Sequence, residues 1–255
     1  MMKPVQWRLA DAVAHLEIDR PPLNVLDLAT LAELDGALAE IGRARPQPRV
    51  LVIRGAGPRA FSAGVAVQDH RRDRIAEMLR RFHGALRRLR ALPTVSIAAV
   101  HGLCLGGAME LAASCDLVVA EADAELGQPE IDVGCFPPWA AALYPPRIGS
   151  HRTLELLLTG RRLTAPEAHR WGLVNRLAER GRLDDEVAAI TAELTAKSGA
   201  VTALAKAAVR ASEEAFEAAV RKAEEIYLGE LAEREDMIEG VAAFTEKRPP
   251  VWKHR

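Results

Sequence analysis

Two glutamates, Glu110 and Glu130, stand where their carboxyl groups could handle protons. Glu110 follows the glycine pair Gly106-Gly107 in HGLCLGGAMELAASCD, residues 101–116. Glycines there let the backbone approach a ligand closely. The free amides of a helix start favour negative charge, and an oxygen that becomes anionic during a reaction would be stabilised by them. A helix-start glutamate that only complements the helix dipole has the same spacing, so spacing alone leaves both readings open. Glu130 sits in ELGQPEIDVGCFPPW, residues 125–139, which its glycines and prolines mark as extended and irregular. Its neighbours Leu126, Ile131, Val133 and Phe136 are apolar. A carboxyl group in such company has a raised pKa, which suits acid–base work. A surface-loop glutamate is the alternative. In PRAFSAGVAVQDH, residues 58–70, the Ala63-Gly64 pair suggests a second tight loop with free amides, although an ordinary strand-to-helix loop reads the same way.

Other chemistries find no support. The histidines His15, His70, His83, His101, His151, His169 and His254 show no metal-ligand spacing. His83 lies on a helical face among apolar residues and reads as a satisfied core histidine. No phosphate-binding P-loop, dinucleotide fingerprint or nucleophile elbow occurs. The three cysteines, Cys104, Cys115 and Cys135, read as free, buried thiols of a reducing compartment. With 49% hydrophobic residues, the 255-residue chain can build a sizeable core. A formal net charge of −1 gives no electrostatic reason for nucleic-acid binding. The N-terminus lacks an apolar leader segment and no run is long enough to span a membrane, so a soluble, cytoplasmic protein is expected.

Periodicity places the elements that must carry these residues. Residues 5–19 read as two short strands joined at Ala10–Ala12, and residues 27–44 as a helix that Asp27 could cap. Val50–Ile53, Val95–Val100 and Leu117–Ala120 read as buried strands. Residues 72–91 form an arginine-rich helix with one apolar stripe; its arginines are either a solvated face or a face for an anionic ligand. Gly102–Gly107 reads as a loop and Ala108–Cys115 as a helix. From residue 151 onward the signals are helical, over 151–158, 165–171, 183–196, 200–212 and 213–232. The expected class is α/β, with a core containing the site over residues 1–195 and a helical segment over 196–255.

In order and spacing these segments resemble the crotonase (enoyl-CoA hydratase/isomerase) family. AFSAG at 60–64 is similar to the family's first oxyanion loop, HGLCLGGAMELAASCD to its second loop and catalytic helix, and ELGQPEIDVG to the turn carrying the second carboxylate. RPPLNVLD at 20–27 resembles the N-terminal substrate-contact stretch, and EGVAAFTEKRPPVWK at 239–253 the C-terminal signature. The resemblance implies a spiral of ββα units with a C-terminal helical trimerisation segment, in a homotrimer or a dimer of trimers. It implies an acyl-CoA hydratase that adds water to a conjugated enoyl- or dienoyl-CoA thioester, without a metal or other cofactor. The amides of Val65 and Gly107 would form the oxyanion hole, and Glu110 and Glu130 the acid–base pair. Glu110 is expected to be the base and Glu130 the proton donor.

Ala63, Ala66, Val67 and Gln68 would lie along the CoA arm, Gly106 beside the oxyanion amide, and Phe244 and Lys247 near the CoA nucleotide. Two departures stand out. The family's common Asp after the first oxyanion amide is Ala66 here. The glycine-rich stretch after the second glutamate is Cys135-Phe136-Pro137-Pro138-Trp139-Ala140, which implies that Phe136 and Trp139 reshape the acyl pocket. With GQPEI and LYPPRIG, this pattern is most like the family's cyclohexa-1,5-diene-1-carbonyl-CoA hydratase branch. A double-bond isomerase, a dehydratase of a branched 3-hydroxyacyl-CoA, and a non-catalytic CoA- or RNA-binding relative are the alternatives.

Overall fold

A computed structural model describes residues 3–211 and 213–254. Strands β1 (Val5–Ala10) and β2 (Val13–Ile18) form an antiparallel hairpin, as their alternation predicts. Helix α1 (Leu28–Arg43) starts at Asp27, whose carboxylate accepts the Thr30 amide at 2.9 Å. The chain then repeats one pattern. A long strand enters a first sheet, a three-residue strand enters a second, and a helix or helical turn follows. The first unit is β3 (Val50–Gly55), β4 (Ala60–Ser62) and α2 (Ile75–Ala91). The second is β5 (Val95–Val100), β6 (Leu103–Leu105) and α3 (Gly107–Ser114). The third is β7 (Leu117–Glu121), β8 (Glu125–Gly127) and a 3-10 turn, Pro129–Val133.

Helices α4 (Pro138–Leu143), α5 (Pro145–Ile148) and α6 (Ser150–Thr159) come next. Strand β9 (Arg162–Thr164), helix α7 (Ala165–Trp171) and strand β10 (Arg176–Ala178) complete the sheets. Helices α8 (Leu183–Thr195), α9 (Gly199–Ala211), α10 (Glu214–Gly229) and α11 (Glu235–Glu246) end the chain. The first sheet has the order β1-β2-β3-β5-β7-β10 and is parallel after its opening hairpin. The second, β4-β6-β8-β9, is parallel except for β8 with β9. The long strands of the first sheet were legible as apolar runs. The three-residue strands were not, and the expected loop at Gly102–Gly107 contains β6. Three residues are too few to show a period, and pairing across the chain defines them.

Arg81, Arg87, Arg88 and Arg90 of α2 are ion-paired. Arg88 meets Asp35 of α1 at 2.6 Å, Arg87 meets Glu217 of α10 at 3.0 Å, and Arg90 bonds Glu213. The opposite stripe, including Met78, Phe82, Leu86 and Leu89, is buried in the main core. Helix α9 is tied to the sheet through Asp116, which contacts Lys206 at 2.7 Å and Arg210 at 2.8 Å and accepts the Ser96 amide. Burial alone would raise the Asp116 carboxyl group, but Lys206, the Ser96 amide and Arg210 outweigh it and hold the pKa below the ordinary range. The Lys206 ammonium is itself lowered, because burial outweighs the Asp116 charge. The close contact to both cations is the firmer sign that the pair is ionised.

Asp116→Ala leaves the buried Lys206 ammonium without its counter-charge and Arg210 with Glu213 alone, and is expected to cost about 3 kcal/mol of unfolding free energy in urea titrations. The Asp116 contribution is complete above the unfolded carboxyl pKa. It is lost as pH falls through the lower folded value, so the gap between wild type and variant should close in acid.

Candidate active site

The two glutamates come from different elements and meet in one cavity of about 410 Å³. Glu110 stands in the first turn of α3, 3% exposed. Its Oε1 accepts the Ala140 amide at 2.7 Å. That amide belongs to the first turn of α4, whose start Pro137-Pro138 fixes because proline suits the first helical position. The open start of α4 thus faces the Glu110 carboxyl group. Burial raises the Glu110 pKa to about 7, against the lowering effect of the Ala140 and Trp139 amides.

Glu130 lies in the 3-10 turn, where an irregular extended stretch was expected. The turn rests on α11. A Cβ at Gly240 would lie 2.3 Å from the Val133 carbonyl oxygen, so only glycine allows this approach. Burial, and then the charge of Glu110, push the Glu130 carboxyl group well above the carboxylate range. Gln128, fully buried, stands over it. Its amide can turn either end to Glu130. The NH₂ group can donate to both carboxylate oxygens at 3.0 Å while the amide oxygen accepts from Tyr144. Turned over, the amide oxygen can accept from the protonated acid while the nitrogen donates to the Tyr144 hydroxyl at 2.7 Å. Gln128 and Tyr144 lie in the GQPEI and LYPPRIG segments that carry the branch resemblance, but no spacing shows that they meet over Glu130.

Opposite the carboxyl groups lie Val65 and Gly107. Leu26 brackets Val65 in a parallel bridge, donating to the Gly64 carbonyl oxygen at 2.9 Å and accepting the Ala66 amide at 3.2 Å. The N–H of Val65 therefore points to the other side of the strand, because successive strand amides alternate. Gly107 opens α3, and its amide has no intrahelical acceptor. Both residues line the cavity. Gly106, at φ +56°, makes the turn between them, and a Cβ there would lie 2.9 Å from Glu130 Oε1. RPPLNVLD braces this loop from below and is not among the residues lining the cavity. Buried Asn24 donates to the Ala56 and Ala60 carbonyl oxygens at 2.9 Å, and Leu23 accepts the Ala63 amide.

The remaining expected site residues divide. Ala63, Val67, Phe136 and Phe244 line the cavity with the four residues above and Gly106. Ala66 is buried with its carbonyl accepting from His70, Gln68 is exposed, and Lys247 is an exposed helix cap; none of these three lines the cavity. Trp139 is a correction. It was expected in the acyl pocket but is fully buried behind it, where its Nε1 donates to Ser114 Oγ at 2.9 Å. The helical turn started by the prolines points the ring into the core. There it ties α4 to α3, one turn beyond Glu110. Residues with no motif complete the walls: Met78, Leu79 and Phe82 of α2, Tyr227 of α10 and Arg248 after α11. His83 is also at the wall, and it is satisfied at one ring nitrogen only, its Nδ1.

The chain is similar to known proteins along nearly its whole length. A family model described as Enoyl-CoA hydratase/isomerase matches residues 8–255. The chain is 37% identical to cyclohexa-1,5-dienecarbonyl-CoA hydratase of Thauera aromatica, over 96% of this chain and 94% of that protein. It is 33% identical to carnitinyl-CoA dehydratase of Escherichia coli, over 96% of each. A crystal structure of an enoyl-CoA hydratase from Mycobacterium avium subsp. paratuberculosis superposes with a TM-score of 0.88 at 27% identity, covering 98% of both chains.

A carboxyl group whose folded pKa is raised above its unfolded value favours the folded state in acid and opposes it as pH rises through the folded value. Glu110→Gln removes that opposition. The variant should be more stable than wild type at pH 8 by about 2–3 kcal/mol, and the difference should shrink as pH falls toward the ordinary glutamate range. Urea unfolding at both pH values measures it.

Proposed function

The chain belongs to the enoyl-CoA hydratase/isomerase family, and from that premise we propose that it adds water to a conjugated cyclic dienoyl-CoA thioester. The observation that carries this reading is the placement of buried Glu110 and half-buried Glu130 around one cavity that the Val65 and Gly107 backbone also lines. The thioester carbonyl accepts hydrogen bonds from Val65 and Gly107. Negative charge builds on that oxygen as water adds to the alkene, and each amide can lower the barrier by about 3–4 kcal/mol. Glu110 is the group more readily ionised, being held by helix-start amides, and it takes a proton from the attacking water. Glu130, whose carboxyl group burial and the Glu110 charge push well above the carboxylate range, delivers a proton to carbon. The pair ends with the same proton count, moved from one carboxyl group to the other, and re-equilibrates as a coupled unit. No electrons leave the substrate, so the scheme calls for no metal or redox cofactor.

The cyclic acyl group rests on the similarity to the Thauera aromatica hydratase and on the mainly apolar walls of the cavity. Phe244 and Arg248 line the cavity and suit contact with the CoA arm. Lys247, exposed and outside the cavity lining, suits contact with a CoA nucleotide in a neighbouring subunit. A homotrimer or a dimer of trimers would cover Val201 and Leu204 of α9, which are 64% and 71% exposed. Among the described residues no helix is long and apolar enough to cross a membrane. The three free cysteines suit the cytoplasm. The similarity to carnitinyl-CoA dehydratase favours a second reading, the same chemistry run as dehydration of a 3-hydroxyacyl-CoA.

Wild type, Glu110→Gln and Glu130→Gln should be assayed on linear and cyclic enoyl- and dienoyl-CoA thioesters. Each variant should lose about 10²–10⁴-fold in kcat, and wild-type kcat/KM should rise as pH passes through about 7, where Glu110 ionises. Mass analysis separates the outcomes: an added water marks hydration, a lost water dehydration, and an unchanged mass with shifted absorbance isomerisation. Full activity in either glutamine variant sinks the two-carboxyl scheme.

A further inference from the structure

The reaction as proposed makes no use of His83, yet His83 is built like part of a site. Its side chain is fully buried on α2, at the wall of the cavity that holds Glu110 and Glu130. Nδ1 lies 2.5 Å from Glu224 Oε1 of α10. Nε2 has no hydrogen-bond partner among the described residues. The ring is clamped between Phe82 and Trp139, with centroids 5.7 and 5.2 Å away. Arg87 reaches Glu224 at 3.3 Å and Glu217 at 3.0 Å, so the Glu224 carboxylate is fixed from behind.

The tautomer follows from these contacts. The hydrogen bond from His83, with help from Arg87, holds Glu224 below the ordinary carboxylate range, so Glu224 is an acceptor. Burial lowers His83 further than Glu224 and Glu217 raise it, so the ring is neutral near pH 7. A neutral ring facing a carboxylate carries its proton on Nδ1. Nε2 is then a bare lone pair, enclosed without accessible surface on a residue that lines the cavity. A buried polar atom left without a partner costs about 1–3 kcal/mol, and such an atom in a native cavity calls for a ligand or a catalytic role.

Resting on the hydratase reading above, we propose that His83, oriented by Glu224, is a polar subsite for the acyl group, accepting a hydrogen bond from a hydroxyl carried remote from the reacting alkene. The preferred substrates are therefore alicyclic acyl-CoA thioesters that already bear a hydroxyl group. A hydrocarbon ring would leave Nε2 unpaired, and sites built to bond a hydroxyl group discriminate against the analogue lacking it.

The test uses an alicyclic enoyl-CoA and its mono-hydroxylated isomers, one for each ring carbon remote from the alkene. His83→Asn keeps an N–H at the Nδ1 position for Glu224 and removes the atom at Nε2. Wild type should favour at least one hydroxylated isomer by about tenfold or more in kcat/KM, and His83→Asn should bring that isomer level with the plain ring. Calorimetric Kd values of the saturated thioesters give the same comparison without turnover. The ¹⁵N resonance of Nε2 should move when the favoured isomer binds. Equal treatment of all rings by wild type, in both rate and Kd, overturns the proposal. Equal losses on plain and hydroxylated rings in His83→Asn also overturn it, since they mean that the residue only supports the fold. If wild type hydrates none of the thioesters but binds a hydroxylated one more tightly through His83, the subsite stands and the hydratase reading falls.

Discussion

Two carboxyl groups enclosed in one small cavity repel each other when both are charged, and protein walls screen that repulsion poorly. The chain answers with unequal surroundings. The Glu110 carboxyl group faces the open start of α4, where amides favour its anion. Glu130 lies under Gln128 on a turn that places it beside that anion. One carboxyl group is made easier to ionise than the other, and such a difference is what an acid and base pair requires.

Much of the surrounding structure keeps those surroundings unequal. The ββα repeat delivers Val65, Gly107 and the 3-10 turn of Glu130 from three successive units to one side of the molecule. Pro137-Pro138 set the entry to α4, and Trp139 fastens that helix to Ser114. Leu26 and Asn24 fix the loop before Val65. Each of these contacts acts on a backbone amide or on the element that presents one, so precision comes from packing more than from side-chain variety.

The legibility of the sequence follows physical range. Long apolar runs and capped helices carry their information locally, so β3, β5, β7, α1 and α2 were readable. The glycine pair before Glu110 was readable for the same reason. The second sheet was hidden because its strands have three residues each. Trp139 was misplaced because the direction of a side chain in a one-turn helix depends on its entry angle. The wall made by α11 was hidden because its contact with Gly134 and Val133 depends on an approach that only glycines permit. His83 was half-read. Its apolar stripe was visible, but its partner Glu224 is 141 residues away, and nothing in the spacing reveals which ring nitrogen stays unmatched.

The wall contributed by Tyr227, Phe244 and Arg248 comes late in chain order, whereas both glutamates come from the middle. A ribosome therefore delivers the two glutamates well before their roof. Until α10 and α11 dock, the pair faces bulk water, which screens the repulsion and removes the reason for shared protonation. The spiral can accordingly fold around two ordinary, solvated carboxylates. The cost of enclosing them falls on the final docking step, which makes closure of the cavity the step of assembly most responsive to pH.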